Sequence, residues 1–244
     1  MTPNPPLVSI VIPCYNEEAY IGKLLAGLTK QNYQNLEIII SDAQSGDKSA
    51  DIIGKFEHPG LKIVYSKPNG PAAQRNFGAK LAKGKWLLFI DADVIIEDKE
   101  FVKTLVETAA FNDWSTASAN IGLKHASLPE RIGTRMDYHY MKLLSHTKHP
   151  VAPGWCILTD RQIFENNNGF NEKIYFGEDY DYVSRVGLHG FGFVDDIRYY
   201  IDLRRVHEEG LRFLYKCVAN EVYRHTHGYD LEKSPYCYKF GDHK

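Results

Sequence analysis

The sequence predicts an α/β fold: a mostly parallel sheet flanked by helices, followed by a helical extension at the C-terminal end. Three observations carry this expectation. Over the first hundred residues, short apolar runs alternate with stretches of helical periodicity, the order that gives parallel strands joined by right-handed crossovers. The runs Leu7–Ile12, Leu36–Ile40, Leu61–Tyr65 and Trp86–Ile90 read as predominantly apolar, as expected of strands covered on both faces. Finally, the last of them ends abruptly in Asp91-Ala92-Asp93. Unpaired carboxylates are costly inside a strand, so both acids belong at its C-terminal end, where ligands bind in open α/β sheets.

Each element has a local reason. After the first run, Glu17–Lys30 carries Ile21, Leu24, Leu25 and Leu28 at helical spacing. Ser49–Phe56 reads as a helix with Asp47 as its N-terminal cap. Pro71–Lys83 has proline at its start and Gly84 at its end, the asymmetry that marks a helix. Beyond Asp93 the pattern changes. Phe101–Phe111 reads as a helix, Ser115–Ile121 as a strand, and Leu128–Leu144 as a long helix carrying Ile132, Met136, Tyr140 and Leu144. Glu165–Asn171 is rich in asparagine and glycine. Leu211, Leu214, Tyr215, Val218 and Val222 mark an amphipathic helix near the C-terminus. This predicts one domain over residues 1–205, with a nucleotide-binding half at 1–95 and an acceptor half at 96–205, and a helical extension over 206–244.

Composition narrows the function classes. The 244 residues carry a formal net charge of −2, which gives no support to a nucleic-acid partner. Cys14, Cys156, Cys217 and Cys237 form no CxxC pair, so neither a disulfide framework nor a zinc knuckle is indicated. No apolar stretch approaches the ~20 residues needed to span a bilayer, and Met1–Pro6 is unlike a signal peptide. The expected location is cytoplasmic, with peripheral contact at the inner face of the membrane left open. Arg212, Lys216 and Arg224 beside the C-terminal apolar stripe suit either packing on the core or a membrane surface; core packing is the preferred reading.

Two carboxylates at a strand end can hold a divalent cation, and that cation can hold a diphosphate. Spacing alone is weak evidence, because the same D-x-D pattern recurs at Asp179 and Asp181, and acids in a loop also cap helices. Pro13-Cys14-Tyr15-Asn16-Glu17-Glu18 after the first strand is neither a dinucleotide fingerprint nor a P-loop. It offers polar groups beside an aromatic, suited to a base or ribose; alternatively Asn16 caps the following helix. Asp42 can accept hydrogen bonds from a base or ribose, or hold an Asx-turn. Arg75, one turn into its helix, can join the helix N-terminus in meeting an anion, or lie exposed at the surface. Arg204, Arg205 and His207 can fold over a diphosphate or metal, or form a solvated basic face. Trp155 can stack on an acceptor sugar or belong to the core. His146, His149, His225 and His227 lack zinc-site spacing and read as surface residues.

The ordered segments VSIVIPCYNEE, SDAQSGDKS, GPAAQRNFGAKLAKGKWLLFIDAD, NNGFNE and FGEDYDYVSRVGLHGF, over about residues 7 to 195, resemble family 2 glycosyltransferases of the GT-A (Rossmann-like) fold. That resemblance implies a UDP- or GDP-sugar donor, a Mg²⁺ or Mn²⁺ ion, an acceptor hydroxyl on a sugar, lipid-linked or small molecule, and inversion at the anomeric carbon. Position by position, it implies that Pro13, Tyr15, Glu17 and Asp42 meet the nucleoside and that Arg75 lies near the donor. It makes Asp91 and Asp93 the metal pair, with Asp93 the more direct ligand, and Asp179 the general base with Glu178 as its competitor; Asp181 holds structure. Arg204 and Arg205 are expected toward the diphosphate and His207 toward the metal. Ala43-Gln44 and Gly46 depart from the commoner family residues, which leaves the identity of the base open. A catalytically silent nucleotide-sugar-binding protein is the alternative from another class.

Overall fold

A computed structural model describes residues 4–67, 69–203, 207, 210–227, 231–232 and 234. At its centre is a seven-stranded sheet of order β3-β2-β1-β4-β6-β5-β7. β1 (Val8–Cys14) lies between β2 (Leu36–Asp42) and β4 (Trp86–Phe89), parallel to both, and β3 (Leu61–Tyr65) extends this half parallel to β2. The helices α1 (Ile21–Leu28), α2 (Ser49–Ile53) and α3 (Pro71–Leu81) supply the crossovers. β1, β2 and β4 are buried along their whole length, because helices cover both faces.

The second half holds α4 (Phe101–Phe111), β5 (Thr116–Leu123), α5 (Leu128–Leu144), β6 (Ile157–Asp160), α6 (Arg161–Asn166), α7 (Glu178–Val186), β7 (Phe191–Ile201) and α8 (Leu211–Thr226). β6 runs antiparallel between β4 and β5, and β7 closes the edge parallel to β5. The sequence reading missed both β6 and β7. Four residues are too few to show a period, and β7 is interrupted by Asp195-Asp196 at a bulge. There the register jumps from Ala119↔Val194 to Asn120↔Arg198. α1 also begins at Ile21 rather than Glu17, because Glu17–Tyr20 forms a separate turn whose carbonyl accepts from Tyr20 and Ile21. α5 has the predicted bounds, and Ser127 and Glu130 close a capping box at its start. Among the described residues, no helix is long and apolar enough to cross a membrane.

Three consecutive residues of α3 tie the two halves together. Gln74 donates from Nε2 to the carbonyls of Cys14 at 2.8 Å and Ser41 at 2.9 Å, which pins the helix to the C-terminal ends of β1 and β2. Asn76 exchanges hydrogen bonds with the backbone of Phe170, at 2.8 and 2.9 Å. Between them, Arg75 points into the site. Gly78 permits the close approach: a Cβ there would sit 2.5 Å from Val11 Cγ1. Beneath the site Phe89, Phe164, Phe170 and Tyr182 form an aromatic cluster, with Phe170 and Tyr182 centroids 4.3 Å apart.

Candidate active site

The loops after β1 and β2 are cross-linked. Backbone N–H groups of Asn16, Glu17 and Glu18 donate to the side chains of Ser45, Ser49 and Asp47, at 2.9, 2.8 and 3.0 Å. In return, Gly46 donates to Asn16 Oδ1 and Lys48 to Glu18 Oε2, both at 2.9 Å. Asn16 therefore joins the two loops instead of capping α1. Lys48 rather than Asp47 stands at the N-cap of α2, and Asp47, one residue earlier, accepts from the N–H of Ser49, the first residue of the helix. Asp42 is buried at the end of β2, where its carboxylate accepts from the backbone N–H and hydroxyl of Ser45. This is the Asx-turn geometry, and Asp42 does not line the cavity described next.

A cavity of about 530 Å³ opens at the C-terminal ends of β1 and β4. Pro13, Tyr15 and Glu17 line it from the β1 loop, and Asp91, Ala92 and Asp93 from the β4 end. Pro153, Gly154 and Trp155 come from the loop before β6, and Glu178 and Asp179 from the start of α7. The remaining wall is α5, through Asp137 and Tyr140, and α8, through residues including Val218, Asn220, Glu221 and Val222. Tyr140 donates to Glu221 Oε1 at 2.6 Å, joining those two helices.

Arg75 is the hub, almost fully buried rather than exposed at the surface. Its Nη2 meets Asp91 Oδ1 at 2.6 Å and its Nη1 meets Glu178 Oε1 at 2.7 Å, so one guanidinium joins both acidic pairs. The ring of Phe170 lies 5.2 Å away, and the paired carboxylates hold the guanidinium protonated against the pull of burial. Asp179 Oδ2 accepts from the Gly154 N–H at 2.6 Å, and its Oδ1 from the Tyr180 N–H at 2.9 Å. Burial, and next the charge of Glu178, push the Asp179 carboxyl up to about 7, against the opposing pull of Arg75 and the two N–H groups. Asp181 turns away to pair with Arg185 at 2.8 Å, while Arg185 also donates to the carbonyls of Asn167 and Gly169. The two D-x-D triplets are different devices.

Charge decides what the cavity can accept. Among the described residues, Arg75 is the cation of its wall, facing carboxyl groups of Glu17, Asp91, Asp93, Asp137, Glu178, Asp179 and Glu221. A diphosphate brought here needs added positive charge. Hard oxygen ligands at Asp91 and Asp93 suit a divalent ion that takes one or two carboxylates and fills its shell from phosphate and water. No group of three or more His, Cys, Asp or Glu side chains forms a self-sufficient metal cage among the described residues. His207 pairs with Glu130 at 2.6 Å and does not line the cavity. Arg204 and Arg205 lie outside the described residues.

Residues 9–167 match the model of glycosyl transferase family 2. The chain belongs to that family. An uncharacterized glycosyltransferase of Haemophilus influenzae is 38% identical to this family 2 chain over 105 residues, covering 42% of each protein. The poly(ribitol-phosphate) β-N-acetylglucosaminyltransferase TarS of Staphylococcus aureus is 37% identical over 110 residues, 43% of this chain and 18% of TarS. EpsJ of Bacillus subtilis, an uncharacterized glycosyltransferase, is 26% identical over 71% of this chain and 54% of its own. The chain thus matches about half or less of these relatives. Among solved structures, TarS 1-349 with UDP-GlcNAc superposes with a TM-score of 0.65 at 22% identity, over 80% of this chain and 58% of that one. A Pyrobaculum calidifontis mannosyltransferase with GDP-Man and Mn²⁺ gives 0.67 at 20% identity, over 80% and 56%. The fold is GT-A.

Sequence reasoning on this family 2 chain missed Gly154, Asp137, Tyr140, Tyr175 and Glu221, all of which line the cavity. Gly154 acts through its backbone N–H and the absence of a side chain: a Cβ there would lie 2.2 Å from Arg75 Nη2. Nothing in one sequence marks such a glycine. Trp155 is half-buried, packs against the core and also reaches the cavity.

Proposed function

We propose that this chain transfers a sugar from a nucleoside-diphosphate donor to an acceptor hydroxyl with inversion, Asp179 serving as general base. The carrying observation is that Asp91-Asp93 and Glu178-Asp179, far apart in sequence, line one cavity and share one buried arginine. Pro13, Tyr15 and Glu17 would receive the nucleoside, on a platform whose shape Asp42 maintains through the Ser45 turn. A bound Mg²⁺ or Mn²⁺, held by Asp93 with Asp91, would supply the positive charge that a leaving diphosphate requires.

The protein's own groups then divide the work. Arg75 fixes the distance between the acidic pairs, because one rigid guanidinium bonds to both. Asp179 takes the acceptor proton as the hydroxyl attacks the anomeric carbon from the face opposite the leaving group. A carboxyl with a pKa near 7 is matched to that task, being basic enough to accept a proton and ionised often enough at neutral pH. The Gly154 and Tyr180 N–H groups hold its plane. Glu178, bonded to Arg75, is less available and serves by raising the basicity of its neighbour. Cys14, Cys156 and Cys217 are free thiols, which supports a cytoplasmic setting.

A thermal-shift screen of UDP- and GDP-sugars, with Mn²⁺ and with chelator, tests the donor reading. One nucleotide family should stabilise the protein by about 2.7 kcal/mol at a hundredfold excess over Kd, and chelation should abolish the shift. Stabilisation by neither family removes the reading. Product analysis with the responding donor then separates transfer from silent binding.

A further inference from the structure

We infer that the exposed face of α5 is a docking surface for an anionic phospholipid bilayer. α5 has three kinds of side. Tyr138 and Met141 are buried against the sheet, and Asp137 and Tyr140 reach the cavity wall. The third side carries Leu128, Ile132, Met136 and Leu143, exposed by 71%, 51%, 68% and 68%. At about 100° per residue these four fall within an arc of about 80°. Arg131, Arg135 and Lys142 fall on the adjoining arc of about 40°, and His139 falls within the apolar arc, between Leu128 and Ile132.

An apolar stripe bordered by basic side chains is the pattern of a helix lying in the plane of a membrane interface, its leucines in the acyl boundary and its arginines at lipid phosphates. Several large side chains left in water along one helix also form more than scattered surface apolarity. Lys142 already pairs with Asp195, so Arg131 and Arg135 carry most of the attraction. The helix is preformed for the purpose: the Ser127–Glu130 capping box and Pro129 fix its first turn without help from a lipid. Charge favours a bilayer over a second copy of this chain. An antiparallel two-fold pairing through α5 would set the basic border of one copy beside that of the other.

The same helix forms part of the cavity wall, so docking would hold the acceptor end of the cavity close to the lipid surface. The docking inference itself does not depend on the donor or on Asp179. Flotation with phosphatidylcholine vesicles, with and without phosphatidylglycerol, tests it at low and high salt. We expect binding only to the anionic vesicles, lost at high salt. Arg131→Gln with Arg135→Gln should weaken it roughly 25-fold, about fivefold per arginine. Met136→Glu with Leu143→Glu should abolish it. Circular dichroism melting should be unchanged in both variants, which shows that the fold is intact. Failure to bind anionic vesicles, equal binding to neutral ones, or insensitivity to either pair of substitutions overturns the inference. So does a dimer in sedimentation velocity that Met136→Glu dissociates.

Discussion

Asp179→Asn separates the chemistry of Asp179 from its electrostatic cost. In the folded protein its carboxyl titrates near 7, against an ordinary 3.8. Because the folded value is raised, the group's stabilising contribution is complete below about pH 4 and is lost as pH rises through 7. Between pH 5 and pH 8 the linkage amounts to about 3 kcal/mol, from about 1.36 kcal/mol per pKa unit. Solvent at the cavity wall reduces this to about 1.5 kcal/mol. Asparagine does not titrate, so the variant escapes this loss. It can accept from only one of the Gly154 and Tyr180 N–H groups, a cost of about 1–3 kcal/mol that is the same at both pH values. The difference in melting temperature, variant minus wild type, should therefore be higher at pH 8 than at pH 5 by roughly 3–6 °C. Calorimetry at the two pH values measures it, and an equal difference at both would refute the raised pKa. In the same preparation kcat/KM of the wild type should rise with pH to a plateau with an apparent pKa near 7, while the variant binds donor without transferring sugar.

Other outcomes follow from the same geometry. Arg75→Gln leaves the buried Glu178 and the half-buried Asp91 without their cation and should cost about 3 kcal/mol, read as a lower denaturant midpoint. Retention of wild-type stability would show that the guanidinium is not the hub. Gly154→Ala places a methyl group against Arg75 and should lower transfer at least tenfold, since about 1.4 kcal/mol of mispositioning suffices. A variant with unchanged kcat would mean that the loop moves aside at no cost. Asp93→Ala should abolish Mn²⁺-dependent donor stabilisation in calorimetry; an unchanged Mn²⁺ titration would remove Asp93 from the metal's shell.

Much of the first hundred residues was legible because the signals there are local. β1 to β4 are short apolar runs between helical stretches, and α3 announces itself by Pro71 and Gly84. α5 has the bounds expected from Ile132, Met136, Tyr140 and Leu144, but the first three of these are exposed and Tyr138 and Met141 are the buried ones. The residues beyond Asp93 were harder for a physical reason. β6 is a strand only because β4 and β5 offer it hydrogen-bonding edges on both sides, and β7 tolerates Asp195-Asp196 only because a bulge turns them to solvent.

The chain by itself determined the class of fold, the acidic pairs at the strand and helix ends, and the family to which they belong, since each is written in contiguous residues. Tertiary structure alone decided that Arg75 is buried between Asp91 and Glu178, that Asp42 holds a turn, and that Gly154 orients Asp179. It also decided that α5 faces both the cavity and the solvent. Those facts depend on which distant groups share a low-dielectric space, and burial and Coulomb interaction act through distance rather than along the sequence.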